Sequence, residues 1–156
     1  MTPFAFTDEQ IELRRTVRAF LESKSPESEV RQLMETDAGY DPQVWSQLAG
    51  EVGVGGLAIP EEYGGAGFGF VELMITLEEL GRSLACVPYL STTVLAAHTL
   101  LESGDEQARK HWLPSIASGE VTATLAWAEE DGRWDEDGVN ATGEVIDDHW
   151  VLHGVK

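Results

Sequence analysis

The sequence predicts an α+β protein in which a helical region precedes the first strands of a sheet. Helical spacing of apolar residues, with capping patterns at the helix starts, continues as far as Ser118. From Gly119 the spacing changes to the alternation typical of strands. Helices followed by strands indicate an α+β arrangement and not a βαβ alternation. We therefore expect a helical domain over residues 1–118 and the incomplete start of a sheet domain over residues 119–156.

The first helix is predicted over residues 7–23. Thr7 and Gln10 form a capping-box pattern, and apolar residues at helical spacing follow them. A short helical stretch is expected over residues 30–34. The next helix is expected to start at an N-cap aspartate followed by proline, Asp41-Pro42. It should end at Gly53 after burying Val44, Trp45, Leu48 and Val52.

A glycine-rich segment, residues 53–70, separates this helix from the next and is predicted to be an irregular loop. It holds seven of the chain's 16 glycines. Because no strand precedes it and no Lys-Ser/Thr pair follows it, the segment lacks the context of a phosphate-binding loop. We expect Gly64, Gly65 and Gly67 to serve backbone conformation and close packing more than direct ligand contact.

Three further helical stretches are predicted before Gly119. Apolar residues surround most of the circumference of the segment 70–84, which predicts a helix deep in the bundle. Another helix is expected over residues 91–103. The last begins near Asp105, and Pro114 either kinks it or opens a short additional helix.

Beyond Gly119 we predict three strands. Residues 121–128 alternate and are rich in β-branched side chains, and the segment 140–156 reads as two strands joined at Asp147 and Asp148. Three strands with open edges are marginal alone, and the strand pattern continues to Lys156. The sheet domain is therefore expected to be cut off there.

Composition excludes several classes of function. Hydrophobic residues make up 42% of the chain, enough for a core, and the net charge is −18, which disfavours nucleic acid and anionic lipid as partners. A single cysteine, Cys86, excludes a disulfide and a multi-cysteine metal site. The sequence shows neither a signal-like start nor about 18 consecutive apolar residues. We expect a soluble, cytoplasmic protein without membrane or nucleic-acid partners.

Candidate chemical groups lack the spacing of a catalytic or metal site. The four histidines form no ligand set, and no G-x-S-x-G motif is present. The acidic run over 129–137 is typical of a solvated loop more than of a cation site. Trp127 and Trp134 flank this polar segment, where packing is favoured over a role as the wall of a planar cofactor site. From the residues alone we predict no metal site and no reaction.

The ordered segments of the chain nevertheless resemble the acyl-CoA dehydrogenase family. They are FTDEQIELRRTVRAFL, GVGGLAIPEEYGGAGFGFVELMITLEELGRSLA, HWLPSIASGEVTATLAWAEE and WVLHGVK. They span essentially all 156 residues, and the PEEYGGAG loop, the EELGR helix end and LPSIASGE are the most specific pieces. Each piece is weak alone, whereas the ordered set is strong.

This resemblance implies a three-part fold and a flavin cofactor. An N-terminal helical domain, a middle β-barrel domain and a C-terminal helical bundle that drives tetramer formation would make up the whole protein. FAD would lie between the β domain and the bundle, and an electron-transfer flavoprotein would accept the electrons. The tetramer would be either homomeric or heteromeric.

The reaction implied by the resemblance is α,β-dehydrogenation of an acyl-CoA thioester in fatty acid β-oxidation or steroid catabolism. A carboxylate base removes the α-proton while a hydride passes from the β-carbon to flavin N5. The family's base is a glutamate of the C-terminal domain. We therefore expect it beyond Lys156 and predict no catalytic residue within this chain.

The resemblance also assigns two groups of site residues. The flavin-contacting group is Leu125, Ala126, Trp127 and Ala128, and the group that shapes the acyl cavity is Tyr63, Gly64, Gly65 and Gly67. Ala128 stands where the family has threonine and Glu130 where it has proline. These departures resemble divergent bacterial members that act on bulky or steroid-derived thioesters, some as mixed tetramers with flavin in one kind of subunit. A flavin-less partner subunit is therefore the alternative to an enzyme, and a short acyl-CoA-binding protein is a third hypothesis.

Overall fold

The computed structural model describes residues 5–156, except for the side chain of Glu136. It forms two compact units, of which the first continues to Thr124 and the second is Leu125–Lys156. The first unit is helical, and the second contains a two-stranded antiparallel sheet. This order of helices followed by strands confirms the predicted α+β class.

Short π-helical and 3-10 segments accompany the α-helices of the first unit. Its described residues contain α1 (Asp8–Lys24), α2 (Glu27–Leu33), α3 (Pro42–Ser46), α4 (Phe70–Ser83), α5 (Ala97–Glu102) and α6 (Glu106–Ala117). A π-helical turn, Gln47–Glu51, continues α3, and a longer one, Leu90–Ala96, leads into α5. Two 3-10 turns, Val54–Gly56 and Glu61–Tyr63, lie within the glycine-rich segment. None of the helices in the described part of the chain is long and apolar enough to cross a membrane.

The predicted helix starts are confirmed at atomic detail. The Thr7 hydroxyl accepts a hydrogen bond from the Gln10 amide at 3.2 Å, and the Gln10 side chain accepts one from the Thr7 amide at 3.0 Å. Asp41 Oδ1 accepts a hydrogen bond from the Gln43 amide at 2.7 Å. Pro114 lies inside α6, which continues past it to Ala117 and does not divide.

Two sets of buried side chains form the core of the helical unit. The larger set comprises Val17, Leu21, Trp45, Leu48, Ala49, Val54, Leu57, Leu73, Leu80 and Tyr89. The smaller set, which comes from the glycine-rich segment, α5 and α6, comprises Ile59, Tyr63, Ala97, Leu113, Ile116 and Ala117. Burial of these apolar side chains supplies the main driving force for folding.

The prediction that α4 lies deep in the bundle was wrong. Its Leu73, Ile75 and Leu80 are buried, but Phe70 is 71% exposed and Met74 is 46% exposed. The helix packs one face against α1 and the core and leaves the other face open. The apolar pattern of a helix shows which side chains could be buried, whereas the neighbouring elements determine which of them are buried.

The second unit contains a hairpin of β1 (Thr142–Ile146) and β2 (His149–His153). The strands pair antiparallel, with Val145 opposite Trp150. Asp147 and Asp148 both adopt positive φ angles, 50° and 62°. A two-residue hairpin turn that matches the right-handed twist of its strands requires such angles. The predicted turn at these two residues is therefore confirmed.

The predicted strand over residues 121–128 was wrong. Among residues 5–156 this segment pairs with no other strand. Near its start, the Thr92 hydroxyl accepts a hydrogen bond from the Ala123 amide and donates one to the Ala123 carbonyl, both at 3.1 Å. A strand requires a neighbouring ladder, and alternating composition alone does not supply one.

Candidate functional site

The glycine-rich loop closes on itself through main-chain hydrogen bonds. The amide of Phe68 donates to the Leu57 carbonyl at 2.8 Å, and the amide of Gly67 donates to the Ile59 carbonyl at 2.9 Å. A further bond of 2.9 Å joins the Ala66 amide to the Gly56 carbonyl. The segment 56–68 is therefore an ordered loop with its own polar groups paired, which leaves few main-chain donors for a ligand.

The predicted site glycines have conformational and steric roles in this loop. Gly64 and Gly67 adopt left-handed φ angles of 81° and 68°, a region that favours glycine. A Cβ atom on Gly65 would lie 2.0 Å from the Ile59 carbonyl oxygen, so only glycine fits there. Their contribution to an acyl cavity stays a prediction.

Tyr63, the fourth predicted cavity residue, ties the loop to α6. Its side chain is buried, and its hydroxyl donates a hydrogen bond to Glu106 Oε2 at 2.7 Å. This bond raises the pKa of the Tyr63 phenol, and the same bond lowers the pKa of Glu106. Lys110 supports the carboxylate from the next turn of α6, at 2.9 Å from Glu106 Oε1. Tyr63 therefore fixes the position of the loop against α6.

We expect Tyr63→Phe to lower the free energy of unfolding by about 1 kcal/mol, the value of one hydrogen bond to a partner that stays solvated. Lys110→Met is the control, because its exposed ion pair with the same carboxylate should contribute less than about 0.5 kcal/mol. Urea unfolding of both variants checks the difference. An equal cost for the two variants would show that the Tyr63–Glu106 hydrogen bond does not hold the loop.

An apolar cavity that the sequence did not predict lies beside α5 and α6. Its volume is about 350 Å³, and its lining includes Leu100, Trp112 and Ile116, together with Ala96, Thr99 and residues 121–124. Mostly apolar walls with a few hydroxyls are typical of sites for small apolar ligands. The cavity brings together two helices and the chain segment after them, and no single local motif marks such a meeting point.

The predicted flavin-contacting residues open the second unit. Leu125 is 37% exposed, Ala126 and Ala128 are exposed, and Trp127 is half-buried. The Trp127 ring packs edge-on against that of Trp134, with centroids 4.4 Å apart and planes at 74°. Within the described chain, no hydrogen bond occupies the main-chain groups of Leu125, Ala126 or Ala128.

Glu129 departs from the solvated acidic loop that was expected. Its carboxylate side chain is 8% exposed and lies 2.8 Å from Lys156 Nζ. It also accepts hydrogen bonds from the main-chain amides of Asn140 at 2.8 Å and Ala141 at 3.0 Å. Lys156, followed by these two amides, lowers the pKa of Glu129 to about 2. This carboxylate therefore joins three separate parts of the second unit, whereas the neighbouring Glu130 and Asp131 are exposed.

The residues of this segment fit one part of FAD and not another. Free main-chain groups at Leu125, Ala126 and Ala128 suit the polar edge of a flavin ring, and the two tryptophans offer aromatic surface. No side chain from 125 to 128 is a hydroxyl or a cation. The exposed carboxylates of Glu130 and Asp131 would repel a pyrophosphate placed beside them. The segment therefore fits the ring, and other residues must hold the phosphates.

Metal binding has no comparable site in the part of the chain that the structure describes. No group of three histidine, cysteine or acidic side chains is arranged there to hold an ion. His98 Nδ1 contacts the Val94 carbonyl at 3.0 Å, and His153 Nε2 contacts Glu144 at 3.3 Å. These histidines are occupied by local contacts.

Comparison with known proteins assigns the chain to a family. The sequence-family model described as "Acyl-CoA dehydrogenase, N-terminal domain" matches residues 7–120 of this chain. Acyl-CoA dehydrogenase IpdE2 of Mycolicibacterium smegmatis is 40% identical over 124 residues, which cover 80% of this chain and 38% of that protein.

Solved structures agree with this assignment. A variant of the Tcur3481-Tcur3483 steroid ACAD superposes with a TM-score of 0.83 at 33% identity, covering 94% of this chain and 40% of the other. An acyl-CoA dehydrogenase of Bacillus anthracis complexed with FAD gives a TM-score of 0.85 at 26% identity, covering 99% and 27%. The chain thus spans less than half the length of each of these relatives. Since the family model covers most of its residues, this chain belongs to the acyl-CoA dehydrogenase family.

Proposed function

We propose that this chain is the N-terminal part of an FAD-dependent acyl-CoA dehydrogenase that forms an α,β-double bond in an acyl-CoA thioester. The observation that carries the proposal is the set of unpaired main-chain groups of Leu125, Ala126 and Ala128 beside the Trp127–Trp134 pair. Exposed peptide groups without hydrogen-bond partners are suited to a planar ligand with a polar edge. When bound, FAD supplies the hydride acceptor that no side chain can provide.

We propose separate roles for the helical domain and the sheet domain. The helical domain, residues 1–118, would form one wall of the acyl site, with Tyr63 and the three loop glycines shaping the approach of the acyl group. The sheet domain, which starts at residue 119, would orient the flavin ring through the main chain of Leu125–Ala128. The base that removes the α-proton and the rest of the cofactor site would come from other parts of the whole protein.

The acyl group and the assembly are also proposals. The similar Tcur3481-Tcur3483 protein is a steroid ACAD, and this supports a steroid-derived acyl group alongside a fatty acyl chain as the substrate class. A tetramer, homomeric or mixed, would deliver its electrons to an electron-transfer flavoprotein.

A second candidate function is a flavin-less partner subunit of a mixed acyl-CoA dehydrogenase. Ala128 lacks the hydroxyl that the family threonine supplies, and Glu130 adds a negative charge where the family has proline. Both changes would weaken flavin binding, and the paired name of the Tcur3481-Tcur3483 relative is compatible with an assembly of two kinds of chain. These two residues are the features that favour a partner subunit over an enzyme.

Flavin content separates the two functions. We expect the purified whole protein to carry a visible flavin spectrum, and we expect Ala128→Thr to tighten FAD binding by about tenfold, the value of one added hydrogen bond in the site. Fluorescence titration with FAD gives both affinities. A colourless protein that binds no FAD alone, with or without the added hydroxyl, would favour the partner subunit.

A further inference from the structure

We infer that Lys156 and Glu129 form a positioning pair that holds the main chain of residues 125–128 in the conformation that receives the flavin ring. The inference rests on the proposed flavin role of that segment. It concerns residues that make no ligand contact themselves. They act by joining the segment to the rest of the second unit.

Lys156 lies at the centre of this arrangement. Its Nζ atom is 2.8 Å from Glu129 Oε1 and 3.5 Å from the main-chain carbonyl oxygen of Trp127. The first contact is a strong charge-assisted hydrogen bond, and the second is at the outer limit of hydrogen bonding. One ammonium group therefore faces both the flavin-contacting segment and the acidic residue that follows it.

Glu129 extends the connection to the hairpin. The carboxylate accepts hydrogen bonds from the amides of Asn140 and Ala141, which directly precede β1, and Lys156 follows β2. The Asn140 side-chain amide adds a fourth bond at 3.1 Å. With the carboxylate only 8% exposed, these partners replace nearly all of its water. Because Glu129 directly follows Ala128, these bonds fix the position of the end of the flavin-contacting segment.

Charge gives this pair a second effect on the flavin. Glu129 is the first of three consecutive acids after Ala128, and Lys156 neutralises it while Glu130 and Asp131 remain exposed to water. An unpaired and poorly solvated carboxylate beside the flavin ring would disfavour the reduced, more negative form of the cofactor. Loss of Lys156 should therefore change the reduction potential of the flavin as well as its affinity.

Titration of the whole protein with FAD tests the pair. We expect Lys156→Met to raise the dissociation constant for FAD about tenfold, and Lys156→Arg to stay within about threefold because a guanidinium reaches the same two oxygens. Arg133→Met is the matched control. It removes a cation of the same unit whose partners are Asp135 and Asp137, and it should leave both affinity and potential unchanged.

The reduction potential at saturating FAD separates positioning from simple loss of stability. Lys156→Met is expected to make the potential more negative, whereas Arg133→Met is not. If Lys156→Met matches the unmutated protein in both affinity and potential, the inference is overturned and the proposed function stands. If the unmutated protein binds no FAD, the proposed function fails, and the inference fails with it.

Amide hydrogen exchange in the unmutated protein gives a test that needs no variant. If Glu129 connects residues 125–128 to Asn140 and Ala141, saturation with FAD should slow exchange of those two amides. Unchanged exchange at both amides in a protein that binds FAD would overturn the inference.

Discussion

Replacing Arg18 and Arg82 together by methionine is expected to lower the free energy of unfolding by about 3–5 kcal/mol, the cost of leaving a buried charge without partners. The Glu79 side chain has no solvent exposure. Arg18 Nη2 lies 2.6 Å from its Oε1, and Arg82 Nε lies 2.9 Å from its Oε2. This ion-pair cluster joins α1 to α4, and Glu79 is the least exposed charged side chain among the described residues of the helical unit.

The same double variant should change how the free energy of unfolding depends on pH in acid. The hydrogen bond from Arg18, followed by that from Arg82, lowers the pKa of Glu79 to about 2. A depressed pKa contributes stability that is present above the unfolded-state value of about 4.3 and is lost as the pH falls towards 2. In the double variant the buried carboxylate has no cation and is relieved by protonation. The stability difference between the two proteins should therefore shrink from neutral pH to about pH 3.

Urea unfolding at several pH values measures this difference directly. Arg15→Met is the control, because Arg15 is 75% exposed and lies 3.6 Å from Glu12 within the same helix. Such a pair should contribute no more than about 0.5 kcal/mol at any pH. The claim that Arg18 and Arg82 stabilise the buried carboxylate of Glu79 would be contradicted by either of two results. One is a double variant that loses no more stability than this control, and the other is a stability difference that grows in acid.

Gly65→Ala is the second substitution with a large expected effect. The added Cβ would lie 2.0 Å from the carbonyl oxygen and 2.5 Å from the carbonyl carbon of Ile59. Both atoms belong to the main chain, so the loop itself must move. We expect a loss of about 3 kcal/mol in the free energy of unfolding and a displaced glycine-rich loop.

Gly81→Ala provides a matched control for this change. Gly81 lies on the exposed side of α4, and nothing lies within 4 Å of the position of an added Cβ. Alanine at a helical position with free space should stabilise the protein by about 0.5–1 kcal/mol. Thermal unfolding of the two variants should therefore shift in opposite directions. A shift in the same direction would show that the contact with Ile59 relaxes without cost.

Features set by neighbouring residues could be predicted from the sequence. The capping box of Thr7 and Gln10 and the turn at Asp147-Asp148 depend on a few consecutive positions, and both were confirmed. The exposure of Phe70 could not be predicted in the same way, because it depends on which element covers that side of α4. The strand predicted over residues 121–128 failed for the same reason, since a strand requires a partner.

The candidate site shows the same contrast between features set by neighbouring residues and features that depend on distant ones. The glycines of the loop were recognised from their local density, but the Tyr63–Glu106 bond joins residues 43 positions apart. The role of Glu129 was hidden by its place in an acidic run, because its amide partners lie 11 and 12 positions later. Composition treats the acids of that run alike, and the fold distinguishes one of them by burial.

The most direct test of the proposed function is anaerobic addition of an acyl-CoA to the purified whole protein while its visible flavin spectrum is recorded. Straight-chain, branched and steroid-derived thioesters should be compared with free CoA as the control. We predict that at least one thioester bleaches the flavin band and that free CoA does not. A protein that carries no flavin, or whose flavin no thioester bleaches, would contradict an acyl-CoA dehydrogenase activity.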